Sequence, residues 1–302
     1  MKKKVLAAVL MGAMVFSMAA CGSNGGDSES GSSDSGSEAS APSGTISVLS
    51  REDGSGTRGA FVELFGIEEE NADGETIDNT TVDAQVTNST AVMMTTVAGD
   101  PQAIGYISLG SLDDSVKALK VDGAEATAEN VKSGTYKVSR PFNIVTSDDI
   151  SDVAQDFVDY ILSSDGQAVV EEDGYIAVDD AAEAYAGTSP EGTVVVAGSS
   201  SVSPVMEKLK EGYEAVNPNA SIEIQTSDST TGVESTISGI CDIGMASREL
   251  KDTETSEGVT GTQIAIDGIA VIVNNENSMT DITSDQVKQI YTGEVTNWED
   301  LQ

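Results

Sequence analysis

Three short segments of the sequence combine glycine with serine or threonine where an apolar, strand-like pattern gives way to a helical one. Glycine lets a backbone approach a ligand closely, hydroxyl groups donate hydrogen bonds, and the first turn of a helix offers free N–H groups and a partial positive charge. Such groups can bind a phosphate-like anion without a cationic side chain. The segments are Leu49–Phe61 (LSREDGSGTRGAF), Val196–Pro204 (VAGSSSVSP) and Gln225–Val233 (QTSDSTTGV).

The first segment also carries a guanidinium group. Arg51 can grip an oxyanion with two parallel N–H bonds, and Asp53, two residues on, can hold the guanidinium in place. Each segment taken alone fits an ordinary helix cap or turn, because Ser, Thr, Asp and Gly are the usual residues there. Three such segments in one chain, one of them with an arginine, favour an anion site.

The composition excludes several classes of function. The 302 residues include 15 Lys+Arg, 51 Asp+Glu and no histidine, for a net charge of −36. Without imidazole, neither a Ser-His-Asp or Cys-His nucleophile pair nor a His-ligated metal site can form. The acidic balance argues against nucleic acid or an anionic membrane surface as a partner. The acids are scattered without ligand spacing, so we expect no metal, no cofactor and no enzymatic activity such as that of a phosphatase.

The N-terminal region has the features of a targeting signal followed by a flexible tether, and not those of a folded domain. Three lysines precede the apolar stretch Val5–Met18, which is shorter than the roughly 20 residues of a membrane-spanning helix. The following Ala-Ala-Cys21 resembles the lipobox of bacterial lipoproteins, with Met18 in place of the usual Leu. We therefore predict a signal peptide over 1–20, a lipid on Cys21 as the sole membrane contact, and a Gly/Ser-rich acidic tether over 21–44. An ordinary secretory signal with an incidental cysteine is the alternative.

The rest of the chain alternates strand and helix patterns. In Asp152–Leu162 the apolar residues recur every three to four positions, which predicts a helix with one buried stripe. Alternation of this kind favours open α/β sheets, in which ligands lie at the carboxyl ends of strands where helices begin. Strands are predicted at Ile46–Leu49, Ile104–Leu109, Tyr136–Val138, Phe142–Val145, Val194–Ala197, Ile222–Gln225, Ile243–Ala246 and Ile264–Val273. Helices are predicted at Gly59–Phe65, Ala91–Val97, Asp152–Leu162, Val202–Val216, Val233–Ser238 and Ser284–Ile290.

Several motifs resemble the phosphate-binding protein of bacterial phosphate ABC importers. They are Ser50–Arg58, Ala103–Gly110, Arg140–Phe142, Ser164–Gln167, Gly198–Pro204, Asp242–Arg248 and Asn297–Leu301. The resemblance spans essentially all of 45–302. It implies an α/β, two-lobed periplasmic-binding-protein-like (type II) fold with a ligand cleft between lobes joined by two crossover strands. It also implies a monomeric, lipid-anchored receptor on the extracellular face of the bacterial membrane, which captures inorganic phosphate and delivers it to the permease of an ABC importer.

The resemblance also implies the ligand set. The phosphate ligands carried over are Arg51, Ser55, Gly56 and Thr57 on one lobe, and the Ser201 hydroxyl, the Val202 backbone N–H and Ser229 on the other, with Asp53 as the brace of Arg51. Ser247 stands where family members carry an aspartate that accepts the proton of hydrogen phosphate. A hydroxyl repels sulfate less than a carboxylate does, so a receptor or sensor for another oxyanion is the alternative. The next residue, Arg248, either contacts the anion or pairs with a surface acid.

The order of the motifs departs from the family. Residues 193–302 followed by 45–187 recover one nearly complete receptor, so 45–187 is the second half of the solute-binding fold and 188–302 the first half. Either the gene is circularly permuted, with 186–193 bridging the old termini, or the chain is a fragment of a tandem receptor. If the gene is circularly permuted, each lobe is built from two separate stretches of the chain. Lobe one then comprises about 193–267 with 147–187, and lobe two comprises about 45–139 with 276–302.

Overall fold

The computed structural model describes residues 42–71 and 76–301. The signal peptide, Cys21 and nearly all of the tether lie outside these residues. The strands are β1 (Ser47–Arg51), β2 (Glu68–Glu70), β3 (Thr76–Asp78), β4 (Gln85–Thr87), β5 (Ala103–Ser108), β6 (Lys117–Ala118), β7 (Lys120–Val121), β8 (Ser139–Ser147), β9 (Gly192–Ser199), β10 (Ala220–Ser227), β11 (Ile243–Ala246), β12 (Val259–Val273) and β13 (Asp281–Ile282). The α-helices are α1 (Gly56–Leu64), α2 (Thr90–Gly99), α3 (Ala128–Lys132), α4 (Asp152–Leu162), α5 (Ser164–Glu172), α6 (Ser203–Val216), α7 (Ser229–Ile237), α8 (Asp252–Thr255) and α9 (Ser284–Tyr291).

One nine-stranded sheet organises the chain, with the order β10-β9-β11-β8-β12-β5-β1-β4 and β6 paired with β12. The strands β10, β9 and β11 are parallel to one another, and so are β5, β1 and β4. Between these two groups run β8 and β12, which are antiparallel to each other. The sheet therefore consists of two parallel groups joined by two crossover strands.

Each parallel group has its own hydrophobic core. The core around β9–β11, which we call lobe one, includes Phe142, Phe157 and Met206. The core around β1, β4 and β5, which we call lobe two, includes Phe61 and Tyr106, whose rings stack with centroids 3.9 Å apart. This arrangement confirms the predicted α/β fold with two lobes. The residue limits of each lobe stay a prediction.

Most predicted elements are present with shifted ends. The bounds of α4 and β11 agree with the prediction. The predicted strand Tyr136–Val138 is wrong, because β8 begins only at Ser139. The Tyr136 side chain is buried, and its hydroxyl donates to the carbonyl of Ile269 at 2.7 Å, so an irregular segment contributes this apolar pattern to the core. Helices α3, α5 and α8 had no counterpart among the predicted elements.

Local sequence explains where the helices around the cleft begin. The side chain of Ser55 accepts a hydrogen bond from Arg58 N and caps α1. Asp228 caps α7 in the same way through Thr231 N. Pro204 lies in the first turn of α6, where its missing N–H costs no intrahelical bond. Helices α1, α7 and α6 thus begin a few residues after the ends of strands β1, β10 and β9, respectively.

Candidate anion-binding site

The structure brings the hydroxyl residues of the predicted ligand set together. Thr57 of α1 in lobe two contacts Ser201, after β9 in lobe one, with 2.8 Å between the hydroxyl oxygens. The hydroxyls of Ser229, at the start of α7, and Ser247, after β11, lie 3.2 Å apart. All four side chains are buried. They sit at the carboxyl ends of parallel strands in both lobes, where the α/β pattern predicts a ligand site.

Arg51, the last residue of β1, is the cation of this cluster. Its side chain is 2% exposed. Nε and Nη2 donate to the Glu52 carboxylate at 2.8 and 2.7 Å, and Nη2 also donates to Ser200 Oγ of lobe one at 3.0 Å. Nη1 is buried and has no hydrogen-bond acceptor among the described residues. Nearly all buried polar groups are hydrogen-bonded, so this N–H group is available to an acceptor on a bound molecule.

The prediction that Asp53 holds the guanidinium of Arg51 in place is wrong. Asp53 points away from Arg51 into solvent, where its carboxylate pairs with Arg58 at 2.6 Å. A turn at Asp53–Gly54 directs its side chain outward, whereas the adjacent Glu52 lies beside the guanidinium. Arg58 in turn donates to the backbone carbonyl of Arg51 at 2.9 Å and pairs with Asp78 at 2.8 Å. Arg58 therefore ties the loop before α1 to β3.

Two other predicted ligands have hydrogen-bond partners within the protein. The amide of Val202 donates to the carbonyl of Ser199 at 3.0 Å, because these residues form a turn before α6 begins at Ser203. In this structure the amide of Val202 thus has an acceptor within the turn, and its assignment to the anion stays a prediction. The Ser55 hydroxyl accepts from Arg58 N at 3.3 Å and serves as the α1 cap. Ser55 is nevertheless buried beside the cluster.

Gly56 is required by the close contact of the two lobes. A Cβ atom at this position would lie 2.5 Å from Ser229 Oγ and 2.7 Å from Ser247 Oγ, closer than non-bonded atoms approach. Gly56 opens α1, so its amide lies where N–H groups have no acceptor within the helix. The absent side chain thus lets a helix start approach two serine hydroxyls of the other lobe.

Arg248 pairs with an acid. Its guanidinium donates to both oxygens of Glu254 at 2.8 and 2.7 Å and to Thr230 Oγ1 at 3.2 Å. Burial raises the pKa of Glu254, but the hydrogen bonds and charge of Arg248 outweigh burial and leave it below its ordinary value. The second of the two alternatives for Arg248 is the one observed.

Four polar residues of the cluster were absent from the predicted ligand set. Ser199 donates to Ser247 Oγ at 3.0 Å, and Thr90, at the start of α2, lies 3.3 Å from Ser201 Oγ. Ser200 and Glu52, which accept hydrogen bonds from Arg51, are the other two. Ser199, Ser200 and Glu52 lie within the segments that the sequence singled out. No pattern in the sequence marks Thr90.

The chemistry of the cluster suits an anion. It offers hydroxyls, helix-start amides and the guanidinium of Arg51, and its carboxylate, Glu52, bonds to Arg51. Among the described residues, no carboxylate bonds to the hydroxyls of Thr57, Ser201, Ser229 or Ser247. Residues 42–71 and 76–301 hold no group of three or more acidic or cysteine side chains that could bind a metal ion. Within the same ranges, no helix has both the length and the apolar character needed to cross a membrane.

Comparisons with known proteins give a consistent result. The chain matches the model of the PBP superfamily domain over residues 31–165 and 183–302. The phosphate-binding protein PstS 2 of Streptococcus agalactiae serotype V is 60% identical over 263 residues, which are 87% of this chain and 89% of that protein. PstS 2 of Streptococcus pneumoniae serotype 4 is 41% identical over 300 residues, 99% of each chain. A crystal structure of a phosphate-binding protein of a phosphate ABC transporter from S. pneumoniae TIGR4 has a TM-score of 0.68 at 43% identity, covering 86% of this chain and 100% of that one.

Proposed function

Because the chain belongs to the PBP superfamily and, within it, to the phosphate-binding proteins of bacterial phosphate ABC importers, we propose that it captures inorganic phosphate outside the cell and delivers it to the importer's permease. It is a transport protein and not an enzyme. The observation that carries the proposal is the buried Nη1 of Arg51, which lacks an acceptor among the described residues and lies in a cluster of hydroxyl groups from both lobes.

Phosphate binding would complete the contacts between the lobes. Arg51 and the first turn of α1 approach the anion from lobe two, and Ser201, Ser229 and Ser247 approach it from lobe one. Burial of the anion strengthens each of these hydrogen bonds, because water no longer competes for them and the local dielectric constant falls. Hinge motion about β8 and β12 then traps the ligand. The protein's overall negative charge makes this local arrangement of dipoles and one guanidinium necessary.

Selectivity between phosphate and sulfate depends on Ser247. Hydrogen phosphate needs an acceptor for its own proton, whereas sulfate has none to donate. The hydroxyl of Ser247 can accept, but it repels a fully ionised anion less than a carboxylate would. Titration calorimetry with phosphate, sulfate and molybdate tests the function. Phosphate binding in the micromolar range or tighter supports phosphate transport, and no heat and no thermal stabilisation at millimolar phosphate would refute it. Preferred binding of sulfate or molybdate would identify a receptor for another oxyanion.

We propose that the order of the two halves arises from circular permutation. Thr45 forms an antiparallel bridge with Asn297, and Trp298 N donates to Gly44 O at 3.0 Å, so the two ends of the permuted fold lie side by side. The match to the pneumococcal relative over 99% of both chains supports the same conclusion. Circular permutation requires such adjacent ends. Refolding of a variant rejoined in the usual order, 193–302 followed by 45–187, with unchanged phosphate affinity would support it. A rejoined chain that folds but binds no phosphate would contradict it.

We also propose that Cys21 carries a lipid and that the receptor is a monomer. The Ala-Ala-Cys21 motif and the Gly/Ser-rich tether support the anchor. Mass spectrometry of the mature N-terminus tests the lipid, and Cys21→Ser should release the protein into the medium. Equal cell association of both forms would contradict the anchor.

Light scattering of the protein without its leader should give a single-chain mass.

A further inference from the structure

A buried ion pair lies in the two crossover strands. Arg140 of β8 and Asp267 of β12 are register partners, and their side chains are 2% and 1% exposed. Arg140 Nε and Nη2 donate to Asp267 Oδ2 at 3.3 and 3.1 Å. Removing two charges from water costs free energy that their attraction barely offsets, and apolar side chains in their place are often as stable. The pair therefore requires a reason other than fold stability.

The remaining bonds of the pair reach both lobes. Arg140 Nη1 donates to the backbone carbonyl of Ser247 in lobe one at 3.3 Å. Asp267 Oδ1 accepts from Ser108 Oγ, at the end of β5 in lobe two, at 2.9 Å and from Gly110 N at 3.5 Å. The ion pair thus connects the crossover strands to a residue of the anion site on one side and to lobe two on the other.

Ser247 is fixed by contacts on both its backbone and its side chain. Its amide donates to Ser229 Oγ at 3.0 Å, and its hydroxyl accepts from Ser199 Oγ at 3.0 Å. Arg140 provides the contact to its carbonyl. A single rotatable bond separates the backbone of a serine from its hydroxyl, so a displaced carbonyl would displace the hydroxyl as well.

The guanidinium of Arg140 is also electrostatically linked to that of Arg51. Burial is the largest cause that lowers the pKa of Arg140, Asp267 opposes burial, and the charge of Arg51 lowers it further. The positive charge of Arg140 therefore contributes to the potential at the cleft.

We propose that Arg140, locked in place by Asp267, is a positioning residue that fixes Ser247 for phosphate and thereby sets the affinity for phosphate and its preference over sulfate. The proposal rests on the proposed function. A serine hydroxyl accepts the proton of hydrogen phosphate only when its own hydrogen points elsewhere, and this depends on its geometry toward Ser199 and Ser229. Sulfate needs no acceptor, so a displaced Ser247 affects the two anions unequally.

Two variants and one control test the proposal. Arg140→Met with Asp267→Asn removes both charges together and leaves no unpaired buried charge. Arg140→Lys keeps the charge, but an ammonium group lacks the planar fork that reaches Asp267 and Ser247 at once. The control is Asp156→Asn, which alters another buried carboxylate. Among the described residues, Asp156 accepts hydrogen bonds from Tyr213 at 2.8 Å, from Tyr185 and from Thr188, and none from the anion site. Calorimetry gives the Kd for phosphate and sulfate, and thermal unfolding without phosphate gives the stability.

We expect both Arg140 variants to bind phosphate about tenfold more weakly or worse, with the ratio of phosphate to sulfate affinity changed by at least about threefold. The control should stay within about twofold on both measures even if its unfolding temperature falls. A folded Arg140 variant with phosphate affinity within twofold of the unsubstituted protein overturns the proposal. Weaker phosphate binding with an unchanged ratio of phosphate to sulfate affinity also overturns it, because that result would reflect general damage to the cleft. If the double variant does not fold, Arg140→Lys decides by the same criteria. Absence of phosphate binding by the unsubstituted protein would instead refute the proposed function.

Discussion

Replacing Arg51 by alanine should weaken phosphate binding by at least about 2 kcal/mol, or roughly 30-fold in Kd. Within the protein, the guanidinium makes two hydrogen bonds to Glu52 and one to Ser200, and Nη1 remains for the anion. The substitution removes a charged hydrogen bond worth about 1.5–3 kcal/mol. It also leaves the Glu52 carboxylate beside the bound anion without its counter-charge, which adds repulsion in a site of low dielectric constant.

Titration calorimetry in phosphate-free buffer measures this loss. A second variant, Arg51→Ala with Glu52→Gln, separates the lost hydrogen bond from the new repulsion and should recover part of the affinity. Lys288→Ala is the matched control, because it removes a positive charge from the surface of the same lobe, where Lys288 pairs with Glu69. The control should bind phosphate as the unsubstituted protein does. A folded Arg51→Ala protein that loses less than about 0.5 kcal/mol would remove Arg51 from the site.

Three further outcomes are expected. Glu52→Gln should weaken phosphate binding more than Asp53→Asn, since Glu52 holds Arg51; the reverse order by calorimetry would restore Asp53 as the brace. Gly56→Ala should weaken binding at least about tenfold, because its Cβ would meet Ser229 Oγ at 2.5 Å; unchanged affinity would show that the lobes need not approach so closely. Burial raises the pKa of Asp267 to about 6 despite Arg140, whereas the unfolded chain titrates near 3.8. The folded state therefore binds this proton at a higher pH than the unfolded chain does. The group's contribution to the unfolding free energy is largest below about pH 4 and is lost as the pH rises through 6. Denaturant unfolding from pH 4 to 7 should show this slope reduced in Asp267→Asn, and equal slopes would contradict the assignment.

The clustering of the hydroxyl residues could be predicted from the sequence. Parallel strands end at one edge of a sheet, so hydroxyl-rich strand ends far apart in the chain had to meet there. The resemblance to the phosphate-binding protein places Thr57 and Ser201 on opposing lobes, and their side chains touch in the structure. The bounds of α4 followed from its apolar stripe for a similar reason, since helical periodicity is a local property.

Partner choice within the site could not be read from the sequence. Glu52 and Asp53 are neighbours with the same charge, and the turn at Asp53–Gly54 decides which of them faces Arg51. The ion pair of Arg140 and Asp267 joins residues separated by 127 positions. It depends on the register of β8 with β12, which apolar patterns do not specify when both strands are buried.

The long strand β12 also determines how the molecule can deform. Its first part pairs with β8 and its last residues, Ile269–Val273, pair with β5, so one continuous hydrogen-bonded ribbon passes through both lobes. A change in the angle between the lobes would therefore require β12 to bend or twist. Flexure is easiest where the ladder is already interrupted, at the register shift between Gln263 and Ala265. We therefore expect any bend between the lobes to occur in β12 at this interruption of the ladder.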